Sequence, residues 1–190
     1  MNRLPQVLLI ASFVPLSWYA MLAVHELGHV LAAWSTGGTV TGVILHPLAI
    51  SRTDVLPNPH PLSVVWAGPL LGVVLPLIVW GLFCAARIPG AFLPRFWAGF
   101  CLLANGGYIG LGSFAGIGDA GDMLRLGSPI WSLWLFGLVT MPVGLLLWHR
   151  QGTHFGLGKP PTSVSPRTAY ISLTLLAITL AAMFALSPRI

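Results

Sequence analysis

Three ionisable residues lie close together near the start of the sequence, in the segment His25-Glu26-Leu27-Gly28-His29. On a helix, residues four apart lie on one face, about 6 Å apart along the axis, so both imidazoles can reach one metal ion. Glu26 projects from the adjoining face, where its carboxylate could hold a metal-bound water and take its proton. The spacing therefore predicts a metal site with His25 and His29 as ligands and Glu26 as general base.

The surroundings of this H-E-x-x-H segment strengthen the prediction. Glu26 is the only glutamate of the chain and the only formal charge between Arg3 and Arg52. An ionisable side chain inside an apolar segment is costly and indicates a functional site. The alternative is that these are chance polar residues on a packed helix or on a solvated turn, and the low charge of the whole segment favours the metal site.

A catalytic zinc ion takes three protein ligands and leaves its fourth position to water, so a third ligand is required. Besides Glu26, the carboxylates of the chain are Asp54, Asp119 and Asp122. Asp119 and Asp122 follow the third apolar span. The first and third spans should run in the same direction, so the end of the third span lies at the membrane face that the H-E-x-x-H segment also approaches. We expect one of them to be the ligand and the other to cap a short helix at 123–126.

The composition indicates the environment of this site. Of the 190 residues, 56% are hydrophobic and only 7% are charged, whereas a soluble domain carries about 25% charged residues. Such a chain cannot bury all of its apolar surface within itself, so the lipid bilayer must be its solvent. The basic residues are scattered singly and form no basic patch, so we expect no nucleic-acid partner.

Charge-free intervals of 18 or more residues predict about five membrane-spanning helices. We therefore expect an all-α, polytopic, multi-pass integral membrane protein of a prokaryotic cell membrane. The β-branched segment 39–45 is too short to span and predicts a strand or a re-entrant segment after the first helix, with a surface loop as the alternative. A metal-binding core at 1–127 would be followed at 128–190 by two further spans joined by a Gly/Pro-rich loop. The expected spans are 7–34, 62–86, 96–115, 130–148 and 169–186.

The H-E-x-x-H segment in a span, Ala67-Gly68-Pro69 in the next span and an aspartate after the third together resemble the site-2 protease family of intramembrane zinc metalloproteases. The resemblance covers roughly residues 15–127. It implies zinc as the cofactor and Asp119 as the third ligand, because Asp119-Ala120-Gly121 is similar to the family's Asp-Gly-Gly turn, and Asp122 stays the alternative. It also implies that Asn105 helps to hold the substrate, although a polar bond to a neighbouring helix would explain this residue too.

The residues and the resemblance together predict an enzyme, a zinc metalloendopeptidase that cleaves transmembrane protein substrates. Zinc would activate a water molecule, and Glu26 would take its proton and later return it to the leaving amine. An unwound substrate could pair with segment 39–45 as an added strand. Two other functions stay open: a membrane metal carrier or sensor that uses the same ligands, and an inactive substrate-binding scaffold. A carrier would need a second set of intramembrane carboxylates or histidines to form a path across the bilayer, and the sequence offers none. The intact H-E-x-x-H argues against the scaffold.

Overall fold

The computed structural model describes residues 3–158 and 163–186, and five helices of this part of the chain are long and apolar enough to cross a membrane. The prediction of an all-α, multi-pass membrane protein is confirmed. In chain order, the elements are α1 (Leu4–Ser35), β1 (Val40–Ile44), β2 (Arg52–Val55), α2 (Pro61–Ala85), α3 (Phe92–Gly110), α4 (Gly112–Ala115), α5 (Gly118–Arg125), α6 (Ile130–Trp148), a 3-10 helix (Gln151–Phe155) and α7 (Pro166–Leu186).

Helix α1 carries the H-E-x-x-H segment in its second half. It ends where Gly37 adopts a left-handed φ of 79°, a conformation that glycine takes without steric cost. The N–H of Gly38 then donates to the Ala33 carbonyl at 2.7 Å and closes the last turn. The helix therefore ends a few residues after the predicted ligands, at the same end as the hairpin that follows.

The strand predicted after the first helix is confirmed as β1, and the structure adds a partner strand, β2. The two strands run antiparallel, with Val43 opposite Thr53. Side chains of β2 alternate between exposed and half-buried, so that Arg52 and Asp54 pair with each other on the outer face at 3.3 Å. Thr53 points to the other side, toward α1. The strand β2 was not predicted because two of its four residues are charged.

Helices α1, α2 and α3 approach one another closely because glycines occupy the contact points. A Cβ atom added at Gly28 of α1 would lie 2.3 Å from the Ala67 carbonyl oxygen of α2. A Cβ atom at Gly72 of α2 would lie 2.7 Å from Oδ1 of Asn105 on α3. Small residues of this kind let membrane helices pack backbone to backbone, which keeps lipid away from the polar face of α1. Helices α6 and α7 pack outside this core, against α3 and α1 respectively.

The segment after α3 differs from its prediction. Helix α5 begins at Gly118, with Ile117 as its N-cap residue, and no side chain caps it. Asp122 therefore lies inside a helix instead of at the start of one, and the expectation that one aspartate caps a helix at 123–126 is wrong. Gly116 and Gly118 adopt left-handed φ values that turn the chain into α5. The helix therefore starts before both aspartates, earlier than the preference of aspartate for the N-cap position indicated.

Candidate metal centre

His25 and His29 lie one turn apart on α1, and both face Asp119 in the first turn of α5. Their Nε2 atoms lie 2.7 Å and 3.3 Å from Oδ2 of Asp119. One ligand atom from each of the three residues lies within 4.8 Å of the others, the only such group in the described part of the chain. Ligand atoms about 2.0–2.2 Å from a tetrahedral zinc ion lie about 3.3–3.6 Å from one another. Of the two distances to Asp119, 3.3 Å falls in this range and 2.7 Å is a hydrogen-bond length, so the cluster is slightly tighter than a three-ligand zinc site and would match one after a small outward shift of the side chains.

Neighbouring acceptors decide which nitrogen of each histidine carries the proton. Nδ1 of His25 lies 2.8 Å from Oδ1 of Asn105, and Nδ1 of His29 lies 2.8 Å from the Val64 carbonyl oxygen. The amide nitrogen of Asn105 donates to the Cys101 carbonyl at 2.9 Å, so its oxygen is the atom that faces His25. An acceptor oxygen requires a hydrogen from its partner, so both histidines are assigned a proton on Nδ1.

This protonation leaves three electron-rich atoms facing one another. The Nε2 atoms of neutral His25 and His29 carry lone pairs, and both approach a carboxylate oxygen of Asp119. Such atoms repel one another unless a cation lies between them, either a shared proton or a metal ion. Two imidazole nitrogens and one carboxylate oxygen form a common ligand set for zinc, and the hydrogen bonds at Nδ1 orient the rings as in known zinc sites. The residues present therefore fit a zinc ion.

Gly68 of α2 lies directly in front of the candidate ligands, and its lack of a side chain leaves their nitrogens uncovered. A Cβ atom added at Gly68 would lie 2.3 Å from Nε2 of His29 and 3.0 Å from Nε2 of His25. Any larger residue at this position would fill the volume that the two nitrogens face. Gly68 belongs to the Ala67-Gly68-Pro69 motif, and the motif itself does not indicate that its glycine meets the histidines.

Asp119 is held at both its backbone and its side chain. Burial by itself would raise the pKa of Asp119, but when protons occupy Nε2 of His25 and His29 in place of a metal ion, their hydrogen bonds and charges outweigh burial and hold the pKa below its usual range. The backbone N–H of Asp119 donates to the hydroxyl of Tyr108 at 3.1 Å. The carboxylate is therefore ionised at neutral pH, as a metal ligand must be.

Asp122, the alternative third ligand, lies outside this cluster. Its carboxylate pairs with Arg125 three residues later on α5, and both side chains are exposed. Of the two aspartates, only Asp119 meets the histidines.

Asn105, which the resemblance assigns to substrate binding, is 1% exposed and bonds His25 on one side and Cys101 on the other. The structure therefore shows the helix-to-helix bond that was the alternative for this residue. A contact between Asn105 and substrate stays a prediction.

Glu26 lies beside the histidines on α1 and is 3% exposed. Its Oε2 accepts a hydrogen bond of 2.7 Å from Oγ1 of Thr53 on β2. No other residue in the described ranges donates a hydrogen bond to this carboxylate. Thr53 was missed because nothing in a short charged segment 27 residues away indicates that it folds back onto α1.

The cluster opens into a cleft of about 1370 Å³ between α1, α3, α5 and the hairpin. The hairpin tip borders the cleft with Leu48 and Ile50, which are 81% and 89% exposed. The cleft brings the three candidate ligands and a buried carboxylate together, an arrangement that would suit metal-assisted hydrolysis. The chain matches no protein-family model, no curated protein and no solved structure.

Proposed function

We propose that the protein is an intramembrane zinc metalloprotease, similar to the site-2 protease family, that hydrolyses peptide bonds of transmembrane protein substrates. The observation that carries the proposal is the convergence of Nε2 of His25, Nε2 of His29 and Oδ2 of Asp119, with both Nδ1 atoms bonded elsewhere. Glu26 favours hydrolysis over metal transport or sensing, because it is buried beside the cluster without belonging to the ligand group.

His25, His29 and Asp119 would hold zinc, which when bound lowers the pKa of water toward about 7 and polarises a peptide carbonyl. Glu26 takes a proton from the attacking water at its carboxylate and returns that proton to the amine nitrogen that leaves. Asn105 and the Val64 carbonyl keep the two imidazoles in the orientation and protonation state in which their Nε2 atoms can bind metal.

The cleft and the hairpin beside it support the proposed substrate class. The carbonyl groups of a transmembrane helix are engaged in intrahelical hydrogen bonds, so the helix must unwind locally before one of them can be attacked. The β1–β2 hairpin borders the cleft and offers an unpaired strand edge, where an unwound segment can add as a further strand. A single-span protein with a weak helix near the membrane boundary is the substrate that this arrangement favours.

Zinc content and hydrolysis, measured on the same preparations, test the proposal. Detergent-purified wild type is expected to contain about one zinc per chain, the stoichiometry of a three-ligand site, and His29→Ala is expected to lose it. Glu26→Gln is expected to retain zinc. Its cleavage of single-span reporter proteins in proteoliposomes should fall by about 10²- to 10⁴-fold, the usual contribution of a general base.

The same experiment separates the rival functions. Wild type without zinc, or Glu26→Gln with full peptidase activity, would contradict the proposal. Zinc flux into proteoliposomes that persists in Glu26→Gln would favour a carrier. Zinc binding with neither hydrolysis nor flux would favour a sensor or an inactive scaffold.

A further inference from the structure

We infer that Thr53 is a positioning residue for Glu26: its hydroxyl fixes the carboxylate in the orientation in which Glu26 works as a base. The inference rests on the proposed function, which gives Glu26 that role. It concerns a residue of the hairpin, an element that the H-E-x-x-H sequence does not predict to take part in proton transfer.

The contact is short and has a defined direction. Oγ1 of Thr53 lies 2.7 Å from Oε2 of Glu26 and 3.4 Å from the Glu26 backbone carbonyl oxygen. A hydroxyl has one hydrogen, and the shorter contact, to the side-chain oxygen that would accept a proton from water, takes it. Hydrogen bonds to a carboxylate are about twice as strong as those between neutral groups. Thr53 therefore donates to Glu26 and holds one of its two oxygens.

Glu26 needs such an anchor because its own torsions do not fix it. A glutamate side chain has several rotatable bonds, and its last torsion is broad and nearly two-fold, so the carboxylate can turn freely unless a neighbour holds it. In the described part of the chain, Thr53 is the one hydrogen-bond donor to this carboxylate. Because Glu26 is 3% exposed, bulk water cannot readily replace the lost donor.

The hairpin register brings the hydroxyl to this place. Thr53 pairs with Val43 of β1, and the alternation of β2 directs its side chain to α1 while Arg52 and Asp54 face outward. A slip of one residue would present a charged side chain to Glu26 instead. Valine has nearly the shape of threonine without the hydroxyl, and serine has the hydroxyl without the methyl group. Thr53→Val and Thr53→Ser therefore separate the hydrogen bond from the packing.

A spectroscopic measurement tests the contact without a substrate. Glu26 is the only glutamate, so cell-free synthesis with glutamate carrying ¹³C at the side-chain carboxyl labels this group alone. Isotope-edited infrared spectra should show a shifted carboxylate stretch in Thr53→Val and the wild-type band in Thr53→Ser. Thr36→Val is the matched control, because its hydroxyl donates at the same 2.7 Å to the Ala32 carbonyl. An unshifted band in Thr53→Val would overturn the inference whether or not the protein is an enzyme.

Kinetics of the full chain in proteoliposomes then test the consequence for catalysis. Thr53→Val is expected to lower kcat by about 10- to 100-fold, since small displacements of a catalytic group have effects of this size. Its KM and zinc content should stay at the wild-type values, while Thr53→Ser restores kcat and Thr36→Val leaves it unchanged.

The outcomes distinguish the inference from the proposed function. If wild type cleaves and Glu26→Gln does not, an unchanged kcat in Thr53→Val overturns the inference alone, as does a change confined to KM. If wild type cleaves nothing, the proposed function fails, and the infrared band of Glu26 decides by itself whether Thr53 positions this carboxylate.

Discussion

The two ends of the helix bundle differ in what their charged residues do. All four acidic side chains of the chain line the same cleft, at the end where α1 finishes. Glu26 is buried there, and Asp119 lies against the histidines. Within the described ranges, the opposite end has arginines and no carboxylate. These arginines are the half-buried Arg95 and the exposed Arg3, Arg87, Arg150 and Arg167.

This difference shows which property of a charged residue marks the candidate metal centre. Exposed basic residues next to apolar spans mark the membrane boundary, where they cost little. A buried carboxylate such as Glu26 is costly and persists only where neighbours compensate it, as Thr53 does. Charge alone therefore does not locate the chemistry, and burial with specific partners does. Substitutions at the two ends should consequently differ in size.

The largest effect is expected from Asp119→Asn, with Asp122→Asn as its matched control. Asp119→Asn removes the charged ligand that faces both histidines, so zinc should fall from about one per chain to near zero. Asp122→Asn should retain zinc, because Asp122 pairs with Arg125 and does not meet the histidines. Elemental analysis of purified protein measures both. The reverse pattern would make Asp122 the third ligand.

A large effect is also expected from Gly68→Ala, with Gly81→Ala on the same helix as control. The added methyl group would lie 2.3 Å from Nε2 of His29, whereas nothing lies within 4 Å of the same atom at Gly81. Overpacking of this kind costs about 1–3 kcal/mol, or about 5- to 150-fold in zinc affinity if the cost falls on the site. Competition with a chelator measures the affinity. Equal affinities in the two variants would show that Gly68 does not shape the site.

An effect of similar or smaller size is expected from Asn105→Ala. This change removes the acceptor that orients His25, and such outer hydrogen bonds contribute about 10- to 100-fold to metal affinity. Chelator competition and cleavage kinetics on the same variant distinguish the two roles of Asn105. Unchanged zinc affinity together with a raised KM would favour the substrate-holding role that the family resemblance implies.

The smallest effect is expected at the arginine end. Arg167→Gln changes an exposed side chain in the first turn of α7, far from the cluster, and surface changes of this kind alter stability by no more than about 0.5 kcal/mol. Zinc content and cleavage should stay at the wild-type values. A loss of zinc in this variant would show that the two ends are coupled and would remove the contrast between them.

A feature of this protein can be predicted from the sequence when it depends on one short segment alone. The five spans could be predicted because charge-free length is a property of each segment alone, and β1 could be predicted from its β-branched residues. The start of α5 could not, because Gly116 and Gly118 override the cap preference of aspartate. The strand β2 has no apolar pattern of its own and is defined by its pairing with β1.

The amino-acid sequence alone indicates that the bilayer is the solvent of this chain and that two histidines and one glutamate share a short stretch of a spanning helix. Which aspartate meets the histidines, and which groups orient His25 and Glu26, depends on how the elements pack. The physical reason is distance along the chain: the partners of His25 lie 80 and 94 residues away, and the partner of Glu26 lies 27 residues away. Helix periodicity fixes contacts within a turn or two, whereas contacts over such separations arise from the packing of whole elements.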